Sequence, residues 1–285
     1  MSYLSRIDHA FSDAPVLPLS ENGRYVLFSD CHRGIGTSND NFLKNQHLYF
    51  AALNYYYQHS FCYIELGDGD ELWENRSFSA IQNIHSNVFW LLSLFYEEHR
   101  LFMLFGNHDI AKKDFHPFSD CCFHEGLRLK DCVTGQELYL THGHQADFFN
   151  STLWRLSCFL VRYLWKPLEQ FGVLDPTSAA KNYKVKNKTE RRLQEWTKLY
   201  KKILITGHTH RPVLGSKDSL YFNTGSCVHP RCITCIELVH RELSLVKWTL
   251  STKPDRTLFV AREVLAGPVG LDDLLKSVSY THLRA

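Results

Sequence analysis

Residues 24–32 read RYVLFSDCH. Four apolar or aromatic residues follow one arginine, and the run stops at Ser29 and Asp30. An apolar stretch this short, cut off by polar residues, is the pattern of a strand buried on both faces. The pattern recurs at 61–68, FCYIELGD, and at 101–109, LFMLFGNHD. Between these runs, residues 40–58 read as a helix and residues 77–98 as one long amphipathic helix. Strand, helix, strand, helix, strand predicts parallel βαβ units with right-handed crossovers.

The second half changes character. ELYLTHGH (137–144), ILITGHTH (203–210), LYFNTGS (220–226), CITCIELV (232–239) and LSLVKWTL (243–250) are short strands separated by turns. They predict a second sheet packed on the first. Residues 151–202 carry no strand signal and read as an insertion of two helices broken near GVLDPTS (172–178).

At 285 residues, with 44% hydrophobic and 22% charged residues, the chain has the composition of a folded domain and not of a disordered tail. It reads as one domain over 1–278. The final SYTHLRA (279–285) resembles a translated sequencing-adapter tail and stays outside the functional reading. The first residues lack the apolar core of a secretory leader, and the nine cysteines then read as reduced thiols of a cytoplasmic protein. The most apolar runs, NVFWLLSLFY (87–96) and LSCFLVRYLW (156–165), are short of the ~20 residues that span a bilayer.

Polar residues gather where the strands end: Asp30 and His32, Asp68, Asn107 and His108, His142, His208 and His210. In open α/β sheets, sites form outside the carboxyl ends of strands. Carboxylates and an amide oxygen mixed with imidazoles suit a pair of divalent ions such as Mn, Fe, Zn or Ni. His208 and His210, two residues apart, project the same way if their segment is extended.

The ordered series DCH, GDGDE, GNHD, HGH and GHTH, spread over roughly residues 24–230, resembles the calcineurin-like metallophosphoesterases. The resemblance implies an α/β fold of four layers, two packed mixed sheets flanked by helices, carrying here a helical insertion at about 151–202. It also implies a two-metal centre. Asp30, His32 and His210 would bind one ion, and Asn107, His142 and His208 the other, with Asp68 bridging. Such a centre hydrolyses phosphomonoesters, phosphodiesters or pyrophosphates through a bridging hydroxide, most often with manganese. By the same resemblance His108 is the general acid and Glu71 orients it. Arg33 and Arg211 adjoin ligand motifs and read either as contacts to substrate phosphate or as surface charges. GDGDELW and GHTHRP are similar to the UDP-diacylglucosamine pyrophosphatases, which carry arginine where this chain has His108. A non-catalytic scaffold and a nuclease-type module are the alternatives, although no ligand position is lost and no long basic track is present.

Each motif has a bland reading when taken alone. His144 could equally support the centre or lie at the surface, and Asp109 reads as a helix cap or a support to the ligands. Cys227, Cys232 and Cys235, or Cys121 with Cys122, do not form the paired spacing of a zinc site.

The insertion holds twelve Lys or Arg against four Asp or Glu, a net +8, whereas the rest of the chain carries −6. It reads either as a packed helical hairpin or as a lid over the centre. A lid would reach a phosphate-ester or lipid-linked substrate and touch a membrane surface peripherally. Arg191 and Arg192 would then meet the anion, and Trp154, Phe159, Tyr163 and Trp165 the apolar part. The charge is too local to predict a stable nucleic-acid partner, and the oligomeric state is open.

Overall fold

Strand β2 (Arg24–Phe28) is buried along its apolar run because it serves two cores at once. Val26 and Phe28 face one core, and Tyr25 and Leu27 the other. It pairs in parallel with β3 (Cys62–Leu66), β3 with β4 (Leu101–Leu104), and β4 with the short β5 (Phe123–His124). The computed structural model describes residues 1–37, 40–114, 118, 123–165, 168 and 182–274. GVLDPTS, Cys121 with Cys122, and the tail 279–285 lie outside the described residues.

The other edge of β2 takes β10 (Cys232–Val239), followed by β11 (Glu242–Thr252) and β12 (Leu258–Gly270), all antiparallel. This corrects the expectation for CITCIELV and LSLVKWTL, which extend the first sheet instead of founding the second. Both faces of β10 are apolar, Ile233 and Cys235 on one side and Ile236 and Leu238 on the other, so it belongs inside a sheet covered on both sides.

The second sheet has the order β1 (Val16–Leu19), β6 (Gly126–Asp131), β7 (Glu137–Thr141), β8 (Ile203–Thr206) and β9 (Tyr221–Asn223). Only β6 and β7 are antiparallel. The two mixed sheets meet through Leu27, Ile64, Leu66 and Leu104 on one side and Leu129, Leu138, Leu140 and Ile205 on the other. Helices α2 (Gln46–Gln58) and α4 (Ser86–Glu97) cover the outer face of the seven-stranded sheet. Helix α1 (Tyr3–His9) and a late helix of the insertion (Tyr183–Tyr200) cover the five-stranded one. The chain is therefore of the α/β class, two mixed sheets flanked by helices.

Two helices differ from the sequence expectation. The stretch 77–98 is split into α3 (Phe78–Ile84) and α4 at His85, whose Nε2 lies 3.0 Å from Asp40 Oδ2 in a buried contact. The helix expected from residue 40 begins only at Gln46, because Asp40 instead accepts the N–H groups of Gly36 and Leu43.

The insertion begins with α5 (Phe148–Ser151) and α6 (Trp154–Leu160), which runs into a π-helical turn at Val161–Trp165. The helix Tyr183–Tyr200, α7, is packed rather than poised. Leu193 and Trp196 are buried against Tyr139, Leu204 and Tyr221 of the sheet. Arg192 donates to Ala146 O at 2.7 Å and lies over the Tyr3 ring, which corrects its expected role as a free anion contact. Arg191 stays exposed beside Glu195. Among the described residues, no helix is long and apolar enough to cross a membrane.

Candidate metal centre

The pairing of β2 with β3 continues past the strands. Asp30 N–H donates to Gly67 O, His32 N–H to Asp68 O, Arg33 N–H to Gly69 O, and Glu71 N–H back to Arg33 O. The loops that carry DCH and GDGDE therefore run in register, and their side chains emerge at one edge. Asp109 joins the third loop to them. Its carboxylate accepts the N–H groups of Gly106 (2.7 Å), Gly69 (3.0 Å) and Asp68 (3.2 Å), and Lys112 Nζ lies 2.8 Å away. The role of Asp109 is thus a clasp between loops.

Beside a group made by His32, Glu71 and His108, two clusters of donor atoms result, each within 4.8 Å: Asp30, His32 and His210 form one, and Asp68, His142 and His208 the other. His32 links them, its Nε2 lying 3.9 Å from both Asp30 Oδ1 and Asp68 Oδ2. Each carboxylate has one oxygen engaged and one turned inward. Asp30 Oδ2 accepts from Ser29 Oγ and from His208 N–H (3.0 Å), and Asp68 Oδ1 accepts from His108 N–H (2.8 Å). The inward oxygens meet imidazoles: Asp30 Oδ1 is 3.0 Å from His210 Nε2, and Asp68 Oδ2 is 3.1 Å from His142 Nε2.

The imidazoles are held in one tautomer by their outer nitrogens. His142 Nδ1 donates to Leu66 O at 2.8 Å, and His32 Nδ1 to Glu71 Oε2 at 2.9 Å. Each therefore turns its Nε2 inward, the arrangement that orients metal-binding histidines. Four buried donors, Asp30 Oδ1, Asn107 Oδ1, His142 Nε2 and His208 Nε2, have no hydrogen-bond partner despite these short distances. A buried unsatisfied polar atom costs about 1–3 kcal/mol. Such atoms on residues of both clusters, and on the neighbouring Asn107, are what bound cations would satisfy. The residues present therefore suit a divalent ion at each cluster.

The backbone agrees. Asp30, His32, Asp68, His208 and His210 all adopt left-handed φ values between 48° and 67°. Such conformations cost about 1–3 kcal/mol each for non-glycine residues and cluster at functional sites. This corrects the expectation that His208 and His210 project from an extended segment. Strand β8 ends at Thr206, and the histidines sit on a tight turn in which Thr209 N–H donates to Gly207 O. The motif glycines make room for the carboxylates: a Cβ on Gly106 would strike the Asp68 carboxylate, and one on Gly207 that of Asp30.

The charges of the cluster are mutually set. Burial opposes the charge of Asp68, but His142, His108 and His32 outweigh it and hold the carboxyl well below the usual range. Burial also opposes protonation of His32, yet the Glu71 hydrogen bond and the Asp68 charge push it up to about 10, and Asp68 and Asp30 lift His142 to about 9. Burial dominates at His210, pulling it down to about 4 against Asp30. A divalent ion entering such a pocket displaces protons from its ligands.

Beside the clusters, His108 Nδ1 lies 2.8 Å from Glu71 Oε1, and its ring stacks on Trp73 at 4.3 Å between centroids. Burial resists protonation of His108, and Glu71 and Asp68 prevail, raising its pKa. Glu71 thus grips His108 and His32 together. His144 is buried near His142 and His208, and burial keeps it well below the ordinary imidazole range. Asp147 Oδ2 comes within 3.9 Å of His208 Nε2. Sequence reasoning missed Trp73 and Asp147. Trp73 stood in the quoted GDGDELW, but no spacing rule marks an aromatic as the support of a histidine.

Arg33 is a correction. It is fully buried, with both guanidinium edges bonded, to Glu65 (2.9 Å twice) and to Asp70 (2.7 and 3.2 Å), so it cannot reach a substrate. Lys112 shares Asp70 and Asp109. The carboxylates of Glu65, Asp70 and Asp109 are therefore each already paired with one or both of these cations. Arg211 keeps its side chain 52% exposed while donating to Glu190 Oε2 at 3.1 Å.

No family model matches the chain, and no curated protein matches it. Among solved structures, the crystal structure of Vps29 from Chaetomium thermophilum aligns over 85% of this chain and 96% of that one, at 12% identity and a TM-score of 0.38. A likeness of that size bears on neither site nor activity.

The Arg33 geometry makes a prediction. Arg33→Met leaves Glu65 and Asp70 short of a cation and should destabilise the fold by about 3–5 kcal/mol, read by urea denaturation. A variant as stable as the wild type would contradict this placement.

Proposed function

We propose that the chain is a metal-dependent phosphoesterase with a two-ion centre. The carrying observation is the set of buried, partnerless donor atoms at Asp30, Asn107, His142 and His208. Asp30, His32 and His210 would hold one ion, Asn107, His142 and His208 the other, and Asp68 would touch both. Manganese suits this mixed donor set, with iron, zinc or nickel as alternatives. Ions so held would lower the pKa of a coordinated water toward ~7 and clamp phosphoryl oxygens.

The chain's own groups supply the rest. Glu71 fixes the Nδ1–H of His108, and Trp73 holds the ring plane, which leaves Nε2 to deliver a proton to the departing oxygen. The neighbouring carboxylates that raise its pKa favour the protonated form this role needs. Arg211, exposed next to His210, is the remaining cation of the motif that can meet a substrate phosphate.

Chelation should abolish hydrolysis of p-nitrophenyl phosphate, and Mn should restore it. His108→Asn should lower kcat by about 10²–10⁴-fold with metal content unchanged. Full activity in a metal-free preparation would sink the proposal.

One observation favours a narrower reading, a pyrophosphatase acting on a lipid-linked nucleotide. Phe148, Phe149, Leu156, Phe159, Tyr163 and Leu164 are all large, apolar and exposed in the first arm of the insertion. An acyl chain or membrane surface would cover them, each CH₂ buried contributing about 0.8 kcal/mol. Replacing Leu156 and Phe159 by serine should lower kcat/KM on an acylated nucleotide-diphosphate sugar on the order of tenfold and spare its non-acylated counterpart. Equal effects on both would remove this reading.

A further inference from the structure

We infer that the insertion is a brace of the metal centre, with Glu190 of α7 as a positioning residue for the turn that carries His208 and His210. This rests on the two-ion reading of the site.

The turn is held in an unfavourable shape, with both histidines at left-handed φ values of 67° and 54°. Something must hold it there. Thr209, between them, is fully buried, and its hydroxyl is gripped from two sides. Asn223 Nδ2 of β9 donates to Thr209 Oγ1 at 3.2 Å and to Gly207 O at 2.6 Å. From the insertion, Glu190 Oε1 accepts the Thr209 hydroxyl at 3.0 Å, and Glu190 Oε2 accepts Arg211 NH1 at 3.1 Å. Glu190 is itself buried, and its bond to Thr209 lies away from bulk water, where such bonds hold geometry most strongly. The side chain reaches the turn because α7 is locked into the core by Leu193 and Trp196 on the next two turns.

Two more arms of the insertion end on ligand-bearing loops. Arg192 donates to Ala146 O, in the loop that follows His142. Arg162, in the π-helical turn, donates to Trp73 O at 2.7 Å and Leu72 O at 2.9 Å, directly behind Glu71. An insertion that only packed would have no reason to end three polar contacts, one buried and two partly buried, on three such loops.

The test is Mn²⁺ binding to the metal-stripped full chain, followed by electron paramagnetic resonance and independent of any hydrolysis. Glu190→Ala and Thr209→Val should each weaken Mn²⁺ binding by about 10–100-fold, as loss of groups that orient metal ligands does. The double variant should lose clearly less than the product of the two single effects, because the contact between Glu190 and Thr209 is removed only once. Glu190→Gln, which retains an oxygen for Thr209, should recover most of the affinity, and Arg191→Ala, exposed on the same helix, should match the wild type. Wild-type Mn²⁺ affinity in Thr209→Val, or additive losses in the double variant, would overturn the inference. If Glu190→Ala does not fold, Thr209→Val and Glu190→Gln decide it alone. A wild type that binds Mn²⁺ but hydrolyses no phosphate ester would fail the functional proposal and leave this one standing.

Discussion

Parallel pairing that outlasts its strands is the constraint on which the site depends. Where β2 and β3 end, the backbone bonds continue from Asp30 to Gly67, from His32 to Asp68 and from Arg33 to Gly69. The consequence is that two loops, normally the loosest parts of a fold, keep the precision of a sheet. Asp109 extends that order to the loop after β4 by accepting N–H groups from both sides. Beneath them Arg33 and Lys112 pair with the buried carboxylates of Glu65, Asp70 and Asp109, so the loops rest on a bonded floor.

On that floor the donors are arranged by a division of labour within each side chain. One carboxylate oxygen or one ring nitrogen is spent on the protein, and the other turns inward. Asp30, Asp68, His32 and His142 all follow this rule. The inward atoms are buried, crowded and partly unsatisfied, an expensive state for a chain unless a cation meets them. Glu71 ties this set to His108, since one carboxylate holds an imidazole of the cluster and the imidazole beside it.

Much of this was legible in the sequence. Apolar runs stopping at Asp30, Asp68 and Asn107 gave the parallel strands, because a buried central strand has no polar face to hide. Their polar terminal residues gave the site, because strand ends share an edge. Other features were not legible. The αL shape of the His208–His210 turn depends on Thr209 being gripped by Asn223 and Glu190, contacts 14 and 19 residues away. Arg33 looked like a substrate contact because it adjoins His32, and only the depth of Glu65 and Asp70 shows why it turns inward. The charge of the insertion left a packed hairpin and a lid both open, because the 3.6-residue period that buries Leu193 and Trp196 and anchors α7 is masked by its lysines.

Anomalous diffraction from crystals grown with Mn²⁺ tests the central claim most directly. Two peaks about 3.5–4 Å apart are expected, one among Asp30, His32 and His210 and the other among Asn107, His142 and His208, with Asp68 touching both. A single peak, or density only at Glu65, Asp70 and Asp109, would contradict the account.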